Sequence, residues 1–167
     1  PVDATLINPG APIIDPYALV VECDTYIIPP ITGTLLTGSA AYYDLAGGPT
    51  GGGALYSVGA PVSTSTILYA YDENGACASE EILDITINPT PDVDPLANQV
   101  ACDTYTLPVI MGTNLTGTEA YYDAVNGGGT QYSSGDAITA SGANTFYIFD
   151  ETGTLPNCFD EETFTVT

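Results

Sequence analysis

The stretch CDTYIIPPITGTLLTGSAAYYD at 23–44 decides the fold, because it returns without a gap as CDTYTLPVIMGTNLTGTEAYYD at 102–123. Self-similarity at a fixed period marks a chain built of repeated units. Further on, YAYDENGACASEE (69–81) matches YIFDETGTLPNCFDEE (147–162), and each copy ends in an alternating tail, ILDITI (82–87) or TFTVT (163–167). The approaches match too: INPGAPIIDP (7–16) precedes the first copy and INPTPDVDP (87–95) the second. The period of about 80 residues gives two modules.

Within a module the signals are those of short strands. Phe164 and Val166 alternate with Thr163, Thr165 and Thr167, and Ile85 and Ile87 alternate with Asp84 and Thr86. A period of two gives a strand one buried face. TILYAY (66–71) and TFYIF (145–149) read as central strands, while AGGPTGGG (46–53) and NGGG (126–129) read as hairpin loops or bulges. Short strands at turn-punctuated spacing, rich in Tyr, Ile, Val and Thr, predict an all-β chain of two tandem immunoglobulin-like β-sandwich modules, beads on a rod. The expected boundaries are 1–16 for an incoming strand and linker, 17–88 for the first repeat, 89–98 for a Pro-rich linker and 99–167 for the second repeat. ATLIN (4–8) resembles the last strand of a repeat. It is expected to end a preceding repeat in a longer array, or to be a free strand that completes a neighbour's sheet.

Charge narrows the function. The 167 residues hold 21 Asp and Glu and no Lys, Arg or His. No side-chain salt bridge can form, and His-based triads, Schiff bases, P-loop lysines and HExxH zinc sites are excluded. Nothing cationic is present to neutralise phosphate, so nucleic acid is not an expected partner. No apolar run reaches the roughly 20 residues that span a bilayer, and membrane insertion is not expected. The Asp-Thr of CDTY (Asp24, Asp103) lacks the glycine of an aspartic-protease motif. The expectation is a protein that is not an enzyme. Trypsin-like proteases find no cleavage site in it, and Lys–Asn isopeptide locks cannot form.

Four cysteines allow three connectivities. The repeat symmetry selects bonds within modules, Cys23 with Cys77 and Cys102 with Cys158; four free thiols are the alternative. Such bonds imply an oxidising extracellular location. Two further sets of residues are candidates. Asp72, Glu73 and Glu80, with Asp150, Glu151 and Asp160 in the second copy, could supply the several oxygens that a hard cation needs, which makes calcium the candidate cofactor; solvated turns are the alternative. Tyr43, Tyr56, Tyr122 and Tyr132 could present an aromatic surface on which a glycan stacks, with sandwich packing as the alternative. Asn114-Leu115-Thr116 fits a glycosylation sequon, but Leu35 stands at the matching place in the first copy.

The string CDTYxLPxIxGTxLTGxxAYYD, with its Gly-rich turn, YIFDETG…C…DEE and a closing ITINP, resembles the tandem repeats of very large secreted surface proteins of Bacteroidota. These include adhesins of the gliding-motility type exported by type IX secretion. The resemblance covers about 20–87 and 99–167. It implies a bacterial cell-surface array with an adhesive or filamentous role. The expected partners are neighbouring repeats or copies of the chain itself, with surface glycans as the alternative.

Overall fold

The computed structural model describes residues 10–75, 77–139 and 142–167, and divides into two compact units, Pro1–Ile87 and Asn88–Thr167. The expected strand at 1–8 lies outside the described residues.

The first unit runs β1 (Ile13–Ile14), β2 (Val20–Cys23), β3 (Tyr26–Ile27), β4 (Gly33–Thr34), β5 (Ala41–Tyr43), β6 (Leu55–Tyr56), β7 (Pro61–Val62), β8 (Thr66–Asn74) and β9 (Cys77–Asn88). One sheet has the order β2-β9-β8-β5-β6; the other layer consists of the antiparallel pairs β1–β4 and β3–β7. The second unit repeats this with β10 (Asp92–Val93), β11 (Tyr105–Thr106), β12 (Gly112–Thr113), β13 (Ala120–Ala124), β14 (Gly128–Tyr132), β15 (Ala137–Ile138), β16 (Asn144–Glu151) and β17 (Phe159–Val166). Its main sheet is β14-β13-β16-β17, against the pairs β10–β12 and β11–β15. Gln99 adds a parallel bridge to Val166, so the segment corresponding to β2 runs beside the end of β17. A long hairpin at the centre of one sheet, with the opening strands divided between two layers, is the immunoglobulin-like sandwich.

The segments expected as linkers are built into the units. Ile14 and Val93 are buried in the two cores, and β1 and β10 pair with β4 and β12. Prolines 12, 16, 91 and 95 flank these two-residue strands at the positions where no ladder hydrogen bond is needed. Pairing brings the backbones close at one repeated glycine. A Cβ on Gly33 would stand 2.0 Å from the Ile13 carbonyl oxygen, and one on Gly112 would stand 2.2 Å from that of Asp92.

The alternation read from the sequence places the cores. Leu83, Ile85 and Ile87 on β9, and Phe164 and Val166 on β17, face inward. The cores differ in how they fill the same space. Leu68, Ala70 and Leu83 of the first become Phe146, Ile148 and Phe164 of the second. The first compensates with Tyr17, whose ring lies 6.1 Å from that of Tyr42, where the second has Leu96. In the second, Phe164 packs at 5.8 Å from Tyr121 and 5.7 Å from Phe146. Aromatic bulk has moved between strands while the volume stays filled, as a close-packed interior requires. The buried phenols find different partners: the Tyr42 and Tyr17 hydroxyls share a hydrogen bond of 2.8 Å, and Tyr121 donates to the Pro108 carbonyl at 3.1 Å.

Candidate functional site

The cysteines fall into two classes. Cys77 is the first residue of β9, and Cys158 stands just before β17. Here the chain also arrives: the Ile14 N–H donates to Ser79 Oγ at 3.2 Å, and the Val93 N–H donates to Asp160 at 2.8 Å. Cys158 is buried, 3.8 Å from the Asn88 carbonyl oxygen, and held by Thr152, which exchanges two hydrogen bonds with its backbone. Cys102 lies at the opposite, outgoing end. Gln99 and Ala101 donate to the carbonyls of Thr165 and Thr167, and Thr167 donates back to Gln99. Cys102 is therefore set just past the last residue of β17, and Cys158 just before its first.

This geometry overturns the pairing expected within modules. The eight residues of β17 separate Cys102 from Cys158 by about 26 Å, whereas a disulfide needs Cα atoms within roughly 7 Å. Repeat symmetry fixes which cysteines correspond, whereas the parallel pairing of Gln99 with Val166 carries the opening segment to the far end of the last strand. Cys77 and Cys102 are free thiols, and Cys23 and Cys158 are disulfide-bonded.

The six acids expected to hold a cation are not brought together. Among the described residues no group of three or more His, Cys, Asp or Glu is arranged to hold a metal ion. Asp72 and Asp150 are buried, 1 % exposed, and serve structure instead. Asp72 accepts the N–H and hydroxyl of Thr37 and the N–H of Glu73; Asp150 does the same with Thr116 and Glu151. The other four point to separate donors: Glu73 to the Tyr71 hydroxyl, Glu80 to the Gly47 N–H, Glu151 to the Asn157 amide and Asp160 to the Val93 N–H. The chain has no cationic side chain to offer a carboxylate, so its acids take backbone, hydroxyl and amide donors. Thr37 and Thr116 were missed in the sequence, although LTG at 36–38 and 115–117 is identical in both copies. Asp44 and Asp123 were missed as well. They close the β5–β6 and β13–β14 hairpins by accepting the Ala54 and Thr130 N–H groups, and the bond from Thr130 holds the Asp123 carboxyl below its ordinary range.

The tyrosines do not form one surface. Tyr56 pairs with the buried Tyr42 and packs on the core, whereas Tyr43 lies on the outer face, edge-on to Tyr71. In the second unit Tyr132 packs inward, 5.6 Å from Phe146, and Tyr122 lies outside against Phe149. Alternation along β5 and β13 separates each expected pair. Tyr132 does border a surface hollow of about 360 Å³, lined also by Asp123, Ile138, Asn144, Phe146 and Tyr147.

No family model and no curated protein matches the chain. Among solved structures it is similar to the N-terminal four Ig domains of Dscam1 isoform 7.44, at 10 % identity and a TM-score of 0.42, over 95 % of this chain and 44 % of that one. The insect immune protein hemolin gives 15 % identity and a TM-score of 0.45, over 95 % and 47 %. Human mucin-like protocadherin EC1-2 gives 9 % and 0.35, over 92 % and 96 %. The chain thus spans less than half of the Dscam1 and hemolin chains. Likeness this slight carries no functional argument, and the immunoglobulin-like assignment rests on the strand order above.

Proposed function

We propose that the chain is a non-catalytic structural repeat of an extracellular cell-surface filament or giant adhesin, in keeping with the resemblance to Bacteroidota surface repeats. The observation that carries this reading is the placement of the chain's passage through a unit. It arrives at the start of the last strand, where Val93 meets Asp160, and departs past its end, where Thr167 meets Gln99 and Ala101. A unit threaded from one end to the other can be repeated in line without a return crossover. The uniform negative charge keeps such a surface soluble, and the lack of Lys and Arg denies trypsin-like proteases a site.

Antibodies against the 167-residue chain, used for immuno-electron microscopy on the producing cells, test this. Gold along surface fibres is the expected result; label confined to the cell interior would overturn it.

A second reading, a glycan-binding module, is favoured only by the hollow beside Tyr132, whose lining includes Tyr132, Tyr147, Asp123 and Asn144. Robust hits on a glycan array that vanish in Tyr132→Ala would establish it, and a blank array would remove it.

A further inference from the structure

The two cysteine classes are complementary. One lies at the incoming end of a unit (Cys77, Cys158), the other at its outgoing end (Cys23, Cys102, matched by their place in the repeat). The two oxidised cysteines comprise one of each class, and so do the two free thiols, Cys77 and Cys102. Within a unit the classes cannot meet, because the length of the last strand keeps them apart. Each free thiol therefore finds a partner only on another module, either the other unit of its own chain or a unit of a second copy. Cys102 is exposed, and its neighbour Val100 is 87 % exposed, which leaves an apolar side chain to cover at that end.

We propose that Cys102 of one copy forms a disulfide with Cys77 of a second copy, joining chains head to tail. The bond arises by two exchanges with a low-molecular-weight disulfide. The Cys102 thiolate attacks it and releases one small thiol; the partner's Cys77 thiolate then attacks the mixed disulfide and releases the second. Two protein thiols are oxidised, one small disulfide is reduced to two thiols, and the protons lost by the cysteines end on those thiols. The junction deepens the filament reading by naming its partner and chemistry, yet its test is separate: the microscopy above locates the array, whereas oxidation of pure protein examines only the joint.

The experiment incubates the 167-residue chain with oxidised glutathione at about 0.5 M salt, where repulsion between acidic chains is screened. Non-reducing electrophoresis should show a ladder that collapses on reduction. C77S alone and C102S alone should stay monomeric, and their mixture should stop at a dimer. Glu-specific proteolysis places Cys23, Cys77, Cys102 and Cys158 in four different peptides, 23–73, 74–80, 82–119 and 152–161. In the wild-type ladder, 74–80 should be found bonded to 82–119, a readout that needs no variant. Either thiol ending only as a glutathione adduct, a monomer in which 74–80 is bonded to 82–119 of the same chain, or homotypic links of 74–80 to 74–80 or 82–119 to 82–119 as the main product, would overturn the proposal.

Discussion

The carboxylate of Asp72 accepts both the backbone N–H, at 2.8 Å, and the hydroxyl of Thr37, thirty-five residues earlier in the chain. Asp150 and Thr116 make the same pair of bonds. Each carboxylate is buried on the central hairpin and ties it to the turn before the neighbouring strand, β5 or β13. Removing a buried acceptor strands its donors at about 1–3 kcal/mol. Asp150→Ala should therefore destabilise by about that amount, and Thr116→Val, which leaves the backbone bond in place, by about 1 kcal/mol. Urea denaturation of the whole chain, following the second unit through a probe placed there, measures both. Equal stability in Asp150→Ala would show that the tie is idle.

Leu35 occupies left-handed backbone at φ 57°, where the second copy has Asn114 at φ 53°. A branched apolar residue is disfavoured there, whereas Asn tolerates the conformation. The Asn114 amide also donates to the Thr90 carbonyl at 3.3 Å. Leu35 is 63 % exposed, so little burial is lost on replacing it. Leu35→Asn should stabilise the first unit by about 0.5–1 kcal/mol, read as a higher denaturant midpoint with an unchanged slope. A lower midpoint would mean that the Leu35 side chain contributes more than its exposure implies.

The buried tyrosines set an alkaline limit. Burial, and then the hydrogen bond with Tyr17, pushes the Tyr42 hydroxyl well up; burial pushes Tyr121 up to about 12. Below the ordinary value of about 10 both folded and unfolded states keep the proton, and the full stability is present. Above it the unfolded chain ionises first, so stability falls as pH rises through the folded value. Circular dichroism should show unfolding between about pH 10 and 12, together with the last rise in tyrosinate absorbance. Tyr121→Phe should blunt that loss in the second unit, at a cost near 1 kcal/mol at neutral pH for the bond to Pro108. Complete ionisation with the fold intact would contradict this account.

Much of the fold was legible because repetition and alternation are local signals. TILYAY and TFYIF became the central strands β8 and β16, and the alternation in TFTVT buried Phe164 and Val166 as expected. The short strands β1 and β10 were hidden by their prolines, since only the partners β4 and β12 reveal them as strands. The cysteine pairing failed for a related reason. Symmetry relates Cys23 to Cys102 and Cys77 to Cys158, but whether the opening segment runs parallel or antiparallel to the last strand is decided by pairing across the sheet. The candidate sites dissolved similarly. DENG and DETG look like ligand loops in one dimension, yet Asp72 and Asp150 turn inward to threonines more than thirty residues away.

That parallel patch also governs how a unit would bear tension. A pull directed from Asn88 toward Thr167 runs along β17, so it slides residues 99–101 against 165–167 instead of peeling them apart. The bonds from Gln99 to Thr165, Ala101 to Thr167 and Thr167 to Gln99 lie across the direction of pull and carry the load together. Each is weak alone, and loading them in concert makes this short seam the mechanical clamp of the unit.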